Sequence, residues 1–556
     1  MAEKLTPQQQ MAVTDRGGKL LVSAAAGSGK TKVLVDRLLR YLLDPFHPAN
    51  IDDFLMITYT KAAAAELRGK IAAKLSEQLA LTPENKHLQR QLQRLYLTKI
   101  STVHAFCADI LREYAYRLDL SGDFRVADEN ECRELREKAM SQVLEEAYRD
   151  LTQNDDFRVF LDTQGLGRDD RLVPEILFKV YDSARCHLSP DQWLDACVEN
   201  ADVSAIDDVG QTLWGKYLMD DLFDYLDLQI QALNRCMDAA RLTPEMEGPV
   251  SLFKETVKQL QLLRAADSWD GIIQNKDIEY GTLRFSKKCT NVDLNERMKA
   301  VRNACKKGVA AKLKSFSANS AQTLQDMHQC FASVRGMVGL VRRFDEVYSR
   351  LKQGRRVLDF GDLEHQMLDL LLGGRRDQVT AAATEIGERF REIMVDEYQD
   401  SNQVQDAIFS ALTQKQQNCF MVGDVKQSIY QFRLADPGIF LEKYNAYVPA
   451  EEAKPGQGRK VFLSANFRSG GGVLECVNYI FSHVMTPSVG GLHYGEEEAL
   501  REGVPHVALD EPEVELLVTQ ADNATYEEEA AVVAQRTAEL LDGKQILSAI
   551  EKIKES

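Results

Sequence analysis

The sequence predicts an α/β protein with a parallel sheet and a large all-helical segment inserted into it. Three observations lead to this fold class. Short apolar runs recur along the chain, each followed by turn residues or a helical pattern, the middle of the chain has helical periodicity, and a glycine-rich turn joins the first apolar run to an amphipathic stretch. Continuous apolar strands that alternate with helices are typical of parallel sheets.

Five apolar runs are the predicted strands of this sheet. They are "KLLVSA" (19–24), "FLMITYT" (54–60), "EIMVDE" (392–397), "CFMVGD" (419–424) and "KVFLSA" (460–465). Each lies beside polar residues that could carry chemistry. We therefore look for functional residues next to these strands.

The region from about residue 125 to residue 350 is predicted to be helical. Its first part, "ECRELREKAMSQVLEEAYRDL", places Met140, Val143, Leu144, Ala147 and Leu151 on one helical stripe. Similar patterns dominate the rest of the region. We predict an insertion that splits the α/β domain, followed after about residue 485 by an acidic stretch and a helix at 526–541.

Composition and charge limit the class of protein. Of the 556 residues, 44% are hydrophobic, which suffices for large cores. No apolar run approaches the ~20 residues of a membrane span, and "MAEKLTPQQQ" lacks the apolar core of a secretion signal. The ten cysteines form no CxxC pair, which indicates reduced thiols in a cytoplasmic protein without a metal–thiolate site. Because the net charge is −17, a nucleic-acid role must rest on particular residues.

The stretch "LLVSAAAGSGKTKVLVDRLL" (20–39) predicts a nucleotide site. It fits A-x-x-G-x-G-K-T from Ala24 to Thr31, with strand, loop and helix in the order that a phosphate-binding loop requires. Lys30 would neutralise the β- and γ-phosphates of ATP, and the Thr31 hydroxyl would bind Mg²⁺. The predicted ATP-binding residues of the loop are Ala26, Gly27, Ser28, Gly29, Lys30, Thr31 and Lys32. The alternative is a glycine-rich turn that happens to carry a lysine, since Ala24 replaces the first glycine of the general pattern.

A pair of acids in "EIMVDEYQDSN" predicts the second half of the nucleotide site. Asp396 is placed to hold Mg²⁺, and Glu397 is placed to polarise the attacking water. The alternative is a solvated pair of acids at a strand end. The phosphate-binding loop upstream favours the catalytic interpretation.

Two further side chains are candidates for contacts with the γ-phosphate. Gln427 ends the strand of "FMVGDVKQSIYQFR" and is an uncharged group suited to sensing that phosphate. Arg468 in "FLSANFRS" follows another strand, in what would be a separate lobe. An arginine that offsets charge on the transferring phosphoryl group is worth roughly 10³–10⁵ in rate. The alternative is a surface arginine.

These motifs, in this order and spacing, resemble those of superfamily 1 DNA helicases of the UvrD/Rep kind. "LTPQQQMAV" (5–13) resembles the Q motif, in which Gln9 would read the adenine edge. "ITYTKAAAAELRGKI" and "ISTVHAFC" resemble motifs Ia and Ib, "LDFGDL" (358–363) matches a stretch before the Asp-Glu motif, and "GDVKQSIYQFR" and "NFRS" resemble motifs III and IV. "FRVADENE", "LDFGDLEH", "MVGDVKQSIYQFRLADPGIF" and "VLECVNYIFSHVM" resemble in particular the AddA branch, one of the two chains of the bacterial AddAB (RexAB) helicase–nucleases.

The resemblance implies a RecA-like P-loop NTPase lobe and a second RecA-like lobe, with ATP between them. In this scheme residues 1–124 and 351–450 form lobe 1A, residues 125–350 form the helical insertion 1B, and residues 451–556 begin lobe 2A. The implied activity is ATP-driven 3′ to 5′ movement on single-stranded DNA and unwinding of duplex ends for double-strand break repair. The implied partner is an AddB/RexB-type chain in a heterodimer, in the bacterial cytoplasm near the nucleoid, without a membrane.

Candidate DNA contacts are aromatic, hydroxyl and basic side chains on the matched loops. They are Thr58, Tyr59 and Lys61 at the end of the strand "FLMITYT", Thr102 and His104 in "ISTVHAFC", and Tyr430, Phe432 and Arg433 after the Gln427 strand. Stacking of a base on an aromatic ring contributes about 1–3 kcal/mol regardless of sequence, which suits a motor that moves along any DNA. Core packing is the alternative for each aromatic, and a structural role is the alternative for His104.

Residues 284–314 are a basic stretch in an otherwise acidic chain. They hold ten basic residues against two acidic ones, Asp293 and Glu296. We predict a solvated helical face here, with contact to duplex DNA as the alternative.

The family places further motifs, a 2B domain and a nuclease domain beyond the position of residue 556. We therefore expect an incomplete second lobe, binding of ATP and DNA, weak hydrolysis, no processive unwinding and no nuclease activity. "YQFR" also carries Gln431 where arginine is common, and glycines follow "NFRS" where a basic residue often stands. Two other classes remain open: an inactive scaffold that binds ATP and DNA, and an ATPase that acts on protein partners.

Overall fold

The computed structural model describes residues 5–151, 155–164, 171–241, 244–286, 291–415, 417–430, 434–487, 489–504, 506, 513–518 and 525–541. The strands are β1 (Gly18–Ala24), β2 (Phe54–Thr58), β3 (Lys99–Thr102), β4 (Arg125–Val126), β5 (Val357–Leu358), β6 (Glu392–Val395), β7 (Asn418–Gly423), β8 (Val448–Pro449), β9 (Arg459–Leu463), β10 (Ala465–Asn466) and β11 (Arg501–Glu502).

The α-helices are α1 (Pro7–Thr14), α2 (Lys30–Leu42), α3 (Lys61–Leu81), α4 (Lys86–Arg94), α5 (Val103–Glu113), α6 (Glu129–Arg149), α7 (Asp155–Gln164), α8 (Val173–Ala184), α9 (Pro190–Ala201), α10 (Leu213–Ala240), α11 (Glu247–Arg264), α12 (Trp269–Asn275), α13 (Val292–Lys312), α14 (Ser320–Arg355), α15 (Phe360–Leu372), α16 (Ala381–Gly387), α17 (Gln403–Thr413), α18 (Pro437–Ala446), α19 (Gly471–Val484) and α20 (Tyr526–Leu541). Among the described residues, no helix has both the length and the apolar character needed to span a bilayer.

The first of two compact units is built around a seven-stranded sheet with the order β3-β2-β6-β7-β1-β9-β8. Each pair of neighbouring strands is parallel. All five predicted runs form strands of this sheet, so the predicted α/β class with a parallel sheet is confirmed. The strand order places β1, which precedes the glycine-rich turn, between β7 and β9.

Helices cover both faces of the sheet, which explains why the strands are continuous apolar runs. Successive side chains of a strand point to opposite faces. Leu20 and Val22 of β1 therefore join a core with α1 to α4, while Leu21 joins a core with α5 and α15 to α18. Because both faces of the sheet are buried, the strands hold few polar residues. The polar residues lie mainly at the strand ends.

Strand β9 lies in this sheet, although we expected it to open a separate lobe. Leu20–Ala24 pairs with Arg459–Leu463 in parallel register. Val461 and Leu463 are buried in the same core as Val22, and pairing also satisfies backbone groups of β1 that an open edge would leave exposed. The division of the first unit into two lobes, with a boundary at residue 451, stays a prediction.

Residues 130–184 and 189–352 form the second compact unit, which is built mainly of helices α6 to α14. Its core lies between α10, α11, α12 and α13. Trp269 is fully buried there, and its indole Nε1 donates a hydrogen bond to the Ala318 carbonyl at 2.9 Å. The insertion predicted at 125–350 covers nearly the same residues. The differences are residues 125–129 and 185–188, which belong to the first unit, and residues 351–352, which belong to the second.

The basic stretch 284–314 includes helix α13, and part of its charge is neutralised inside the helical unit. Lys312 contacts Asp221 at 2.6 Å, Lys299 contacts Glu296 at 2.7 Å, and Arg302 donates to the Tyr280 carbonyl at 3.2 Å. Lys287 and Lys288 of this stretch lie outside the described residues. These contacts fit a helical surface, and the role of the stretch stays a prediction.

Candidate nucleotide and nucleic-acid site

Residues that follow β1, β2, β6 and β7 line one cleft of about 510 Å³. Its lining includes Thr31, Thr58, Tyr59, Asp396, Glu397 and Gln427. These side chains were predicted from four separate stretches of sequence. They meet because parallel strands end at the same edge of a sheet, which is where ligands bind in folds of this type.

The glycine-rich turn has a backbone that requires glycine at two positions. Gly27 has φ +68° and Gly29 has φ +84°, backbone angles that residues other than glycine rarely adopt. A Cβ atom on Gly27 would also lie 2.7 Å from the Asn466 Nδ2 atom. Gly29 is the N-cap residue of α2, so the turn leads into a helix N-terminus, which favours anions.

Gln9 contacts this turn directly, a contact that the sequence did not predict. The side chain is buried, and its Nε2 donates to the Ser28 carbonyl at 2.9 Å. Its Oε1 accepts from the Thr6 amide at 3.0 Å, which closes the capping box at the start of α1. Gln9 therefore ties α1 to the glycine-rich turn. Its proposed contact with adenine stays a prediction.

Lys30 forms an ion pair with Glu397, which lines the cleft. The Lys30 Nζ atom lies 2.8 Å from the Glu397 Oε2 atom. Glu397 has φ +49° and ψ +43°, a left-handed conformation that is uncommon outside glycine and recurs at functional sites. The lysine predicted to bind phosphate is thus paired with the carboxylate predicted to orient water. A bound γ-phosphate would have to replace Glu397 as the partner of Lys30.

Asp396 and Asp400 are poorly solvated carboxylates beside Glu397. Burial and the charge of Glu397 raise the pKa of each of them to about 6. The Asp396 Oδ1 atom accepts from the Glu397 amide at 3.0 Å. The Asp400 Oδ1 atom is buried and has no hydrogen-bond partner among the described residues. A cation in the cleft would lower the electrostatic cost of ionising both acids.

Thr31 and Asp396 fit the chemistry of a magnesium site. Both line the cleft, and both offer the oxygen ligands that Mg²⁺ prefers. Within the described ranges, no group of three or more His, Cys, Asp or Glu side chains is placed to hold a metal ion. The remaining ligands would thus be water and phosphate oxygens, as is usual for Mg²⁺ bound with a nucleotide.

Gln427 lies in a 3₁₀ turn, Val425–Gln427, that follows β7. Its Nε2 donates to the Asp424 Oδ2 atom at 2.7 Å. Asp424 is buried, and its Oδ1 accepts from the Lys426 amide at 3.1 Å. The orientation of Gln427 toward the cleft is therefore set by Asp424. We call residues 424–427 the sensor turn.

Arg468 is exposed, and Asn466 fixes its backbone next to the glycine-rich turn. The Asn466 Oδ1 atom accepts from the amides of Arg468 and Ser469 at 2.8 Å each, and its Nδ2 donates to the Ala26 carbonyl at 2.8 Å. The Phe467 amide also donates to the Gly27 carbonyl. The arginine is thus attached to the turn through β9 and Asn466, where we expected it to be carried by a separate lobe.

Two of the hydroxyls predicted to contact DNA make local hydrogen bonds. Thr58 is buried and donates to the Thr60 carbonyl at 3.1 Å. Thr102 caps α5 and accepts from the Ala105 amide at 3.3 Å. Lys61 is exposed at the first position of α3. Contacts with DNA phosphates at these positions stay predictions.

Tyr59 and Tyr430 line the cleft. The Tyr59 hydroxyl lies 2.5 Å from the Ser401 Oγ atom, and burial raises the pKa of Tyr59 above its usual range. Tyr430 is 37% exposed. Phe432 and Arg433, on which the base-stacking prediction depends most, lie outside the described residues.

His104 makes contacts with Glu364 and Phe360 that fit a structural role, and its contact with DNA stays a prediction. Its Nε2 atom lies 3.1 Å from Glu364 Oε1, and its ring stacks on Phe360 with centroids 4.3 Å apart. Glu364 is buried and also accepts from Gln405 at 2.7 Å. Phe360 is 57% exposed and was missed by the sequence analysis, although it lies within the matched stretch "LDFGDL". Its ring is the surface available for stacking at this position.

Comparison with known proteins gives a family match over most of the chain. The model of the UvrD/REP helicase N-terminal domain matches residues 5–448. The A-subunit of the ATP-dependent helicase/nuclease of Pelotomaculum thermopropionicum is 36% identical over 91% of this chain and 40% of the relative. Proteins with the same name from Clostridium novyi and Acetivibrio thermocellus are each 35% identical, over 89% and 90% of this chain and 40% and 41% of their own length. The chain spans about two fifths of the length of these curated relatives.

Proposed function

Because this chain belongs to the UvrD/REP helicase family, we propose that it hydrolyses ATP to move along single-stranded DNA. The observation that carries this proposal is the cleft in which Thr31, Asp396, Glu397 and Gln427 meet. The relatives are named as part of an ATP-dependent helicase/nuclease, which supports the same activity. The sequence resemblance to UvrD/Rep helicases is confirmed by the family match.

In the proposed reaction, the phosphates of ATP lie against the glycine-rich turn and the N-terminus of α2. Lys30 exchanges its ion pair with Glu397 for one with the β- and γ-phosphates. Glu397 is then free to orient the attacking water and accept its proton. Thr31 and Asp396 would hold Mg²⁺, which would supply positive charge to offset that of the β- and γ-phosphate oxygens.

Two side chains at the edge of the cleft complete the proposed site. Gln427 contacts the γ-phosphate, and its amide suits this role because it can donate a hydrogen bond without adding charge. Arg468 offsets the charge that spreads over the transferring group. The attachment of Arg468 to the glycine-rich turn through Asn466 supports this role, because it keeps the arginine near the phosphates.

Single-stranded DNA is the proposed substrate of the motor. We propose that it contacts the loops after β2, β3 and β7 and the start of α15. Tyr59 and Tyr430 on these loops line the cleft, and Phe360 at the start of α15 is exposed. The direction of movement, 3′ to 5′, and a role in double-strand break repair extend this proposal. We also propose a partner chain, which the word "subunit" in the names of the relatives supports. The proposed location is the bacterial cytoplasm, near the nucleoid.

The proposal is tested by measuring phosphate release from ATP with and without a single-stranded oligonucleotide, with Lys30→Ala as the control. We expect release that the oligonucleotide stimulates and that the substitution abolishes. ATP and DNA binding without release would instead indicate a scaffold. Release that DNA does not change would indicate an ATPase that acts on another partner.

A further inference from the structure

Gln399 connects the proposed catalytic acid to the sensor turn. Its side chain is 2% exposed. Its Nε2 donates to Glu397 Oε2 at 2.9 Å, and its Oε1 accepts from the Asp424 amide at 2.9 Å. The nitrogen and the oxygen of one amide group thus bond to Glu397 and to Asp424 of the sensor turn. Gln399 lies between the acids of "DEYQD" but was not among the predicted site residues.

The bond to Glu397 gains importance when nucleotide binds. Lys30 and Gln399 both contact the same oxygen, Glu397 Oε2. In the described part of the chain, no other side chain donates a hydrogen bond to this carboxylate. When a phosphate takes Lys30 away, Gln399 remains to hold the carboxylate. An acid that must orient a water molecule needs such a fixed position, since small displacements of reacting groups are costly in rate.

The packing between Gln399 and the end of β7 requires a glycine at residue 423. A Cβ atom on Gly423 would lie 2.4 Å from Gln399 Oε1 and 3.1 Å from the Phe440 ring. Gly423 is the last residue of β7, directly before the sensor turn. The absence of a side chain at 423 is therefore what allows Gln399 to reach the Asp424 amide.

The connection continues from Asp424 to the γ-phosphate sensor. The carboxylate of Asp424 accepts from Gln427 Nε2 at 2.7 Å. Hydrogen bonds thus run from Glu397 through Gln399 and Asp424 to Gln427. A displacement of Gln427 by a γ-phosphate would be transmitted to Glu397 through one buried amide.

We propose that Gln399 is a positioning residue that aligns Glu397 with the sensor turn, so that water is activated when a γ-phosphate is in place. This inference rests on the proposed function. Gln399 lines the cleft beside Glu397, and in this role it accepts no proton from the attacking water. It acts through the position of Glu397.

Single-turnover phosphate release, with protein in excess over labelled ATP and with Mg²⁺ and oligonucleotide present, tests the proposal. In Gln399→Met the side chain keeps its length but loses both hydrogen bonds. We expect release to slow about 100-fold, the loss expected when a reacting group is misplaced by roughly 1 Å. The affinities for ATP and ADP, measured with fluorescent analogues, should stay unchanged, because Gln399 contacts neither the glycine-rich turn nor Lys30.

Gln91→Met is the matched control for loss of a buried glutamine. Gln91 is 1% exposed, accepts from the Ile51 amide at 2.8 Å and donates to Asn50 at 3.2 Å, outside the cleft. Its loss should lower the melting temperature and leave the rate of release unchanged. Gly423→Ala provides a second approach, since its new methyl group displaces the Gln399 amide. It should slow release as Gln399→Met does, and the double variant should be no slower than either single one.

Three results would overturn the proposal. A wild-type rate of phosphate release in Gln399→Met would remove the positioning role. A release rate that falls in parallel with ATP affinity would remove it as well. A loss of equal size in Gln91→Met would assign the effect to general stability. If wild-type protein releases no more phosphate than Lys30→Ala, the proposed function itself fails, and the role of Gln399 fails with it.

Discussion

The ion pair between Lys30 and Glu397 has a thermodynamic consequence for nucleotide binding. The pair is partly solvated, with side-chain exposures of 15% and 41%. Breaking it to bind phosphate therefore costs up to about 1 kcal/mol, the usual limit for such pairs. The proposed phosphate-binding lysine and the proposed catalytic acid thus neutralise each other in one contact. In the proposed reaction, nucleotide binding both fills the site and releases the acid.

Replacing Glu397 by Gln should separate the two roles of this acid. Phosphate release should fall roughly 10²–10⁴-fold because general base catalysis is lost. ATP affinity should rise by up to about fivefold, because ATP binding no longer has to break the ion pair between Lys30 and Glu397. Titration with a fluorescent ATP analogue and phosphate release measure the two effects. Glu66→Gln is the control, since Glu66 lines the cleft but pairs with Lys70. Unchanged or weaker ATP affinity in Glu397→Gln would contradict the competition.

The sequence predicted the residues of the cleft because each stands next to a recognisable strand or turn. Thr31, Asp396, Glu397 and Gln427 belong to this set. The contacts of Gln9 and Gln399 were not predictable, since each joins groups whose proximity depends on the folded sheet. A glutamine carries no pattern that distinguishes a bridging amide from a solvated one.

Helix α2 and strand β6 are joined by a buried ion pair. Arg37 of α2 contacts both carboxylate oxygens of Glu392 in β6, at 2.7 and 2.5 Å, and both side chains are almost fully buried. Arg37 also donates to the Ala12 carbonyl of α1 at 2.7 Å. One guanidinium thus links three elements, including the helix that begins at Lys30.

Arg37→Met should destabilise the protein by about 3–5 kcal/mol, because Glu392 would remain buried without its partner. Urea unfolding of Arg37→Met, Glu392→Met and the double variant measures this effect. The double variant should recover most of the loss, since no buried charge remains. Arg16→Met removes a partly exposed pair with Asp44 and should cost about 1 kcal/mol or less. Equal costs for Arg16→Met and Arg37→Met would contradict the account.

Strand positions were predictable and the assignment of one strand to its sheet was not. Continuous apolar runs mark strands buried on both faces, and all five runs form strands. The run at 460–465 is apolar like the others, but its composition does not indicate which strand it pairs with. The edge is set by packing of Val461 and Leu463 against the core around β1. This long-range preference leaves no local signal.

Each of the two compact units has its own core, and the proposed ATP site lies within the first unit. The helical unit could be predicted because helical periodicity persists over more than two hundred residues. The chain as a whole carries a net charge of −17, so general attraction to DNA is weak. Proposed affinity for single strands thus depends on aromatic surface at the loops beside the cleft. In this proposal, DNA contacts and ATP-binding residues lie close together beside one cleft.

Coupling of ATP to single-stranded DNA through one cleft can be measured as the change in ATP affinity between samples with and without saturating oligonucleotide. A fluorescent, non-hydrolysable ATP analogue serves as the probe, and Lys30→Ala is the control for specific binding. We expect the oligonucleotide to raise ATP affinity by about 5–150-fold, and ATP to raise DNA affinity by the same factor, as linkage requires. Equal ATP affinity in the presence and absence of DNA would contradict the coupling.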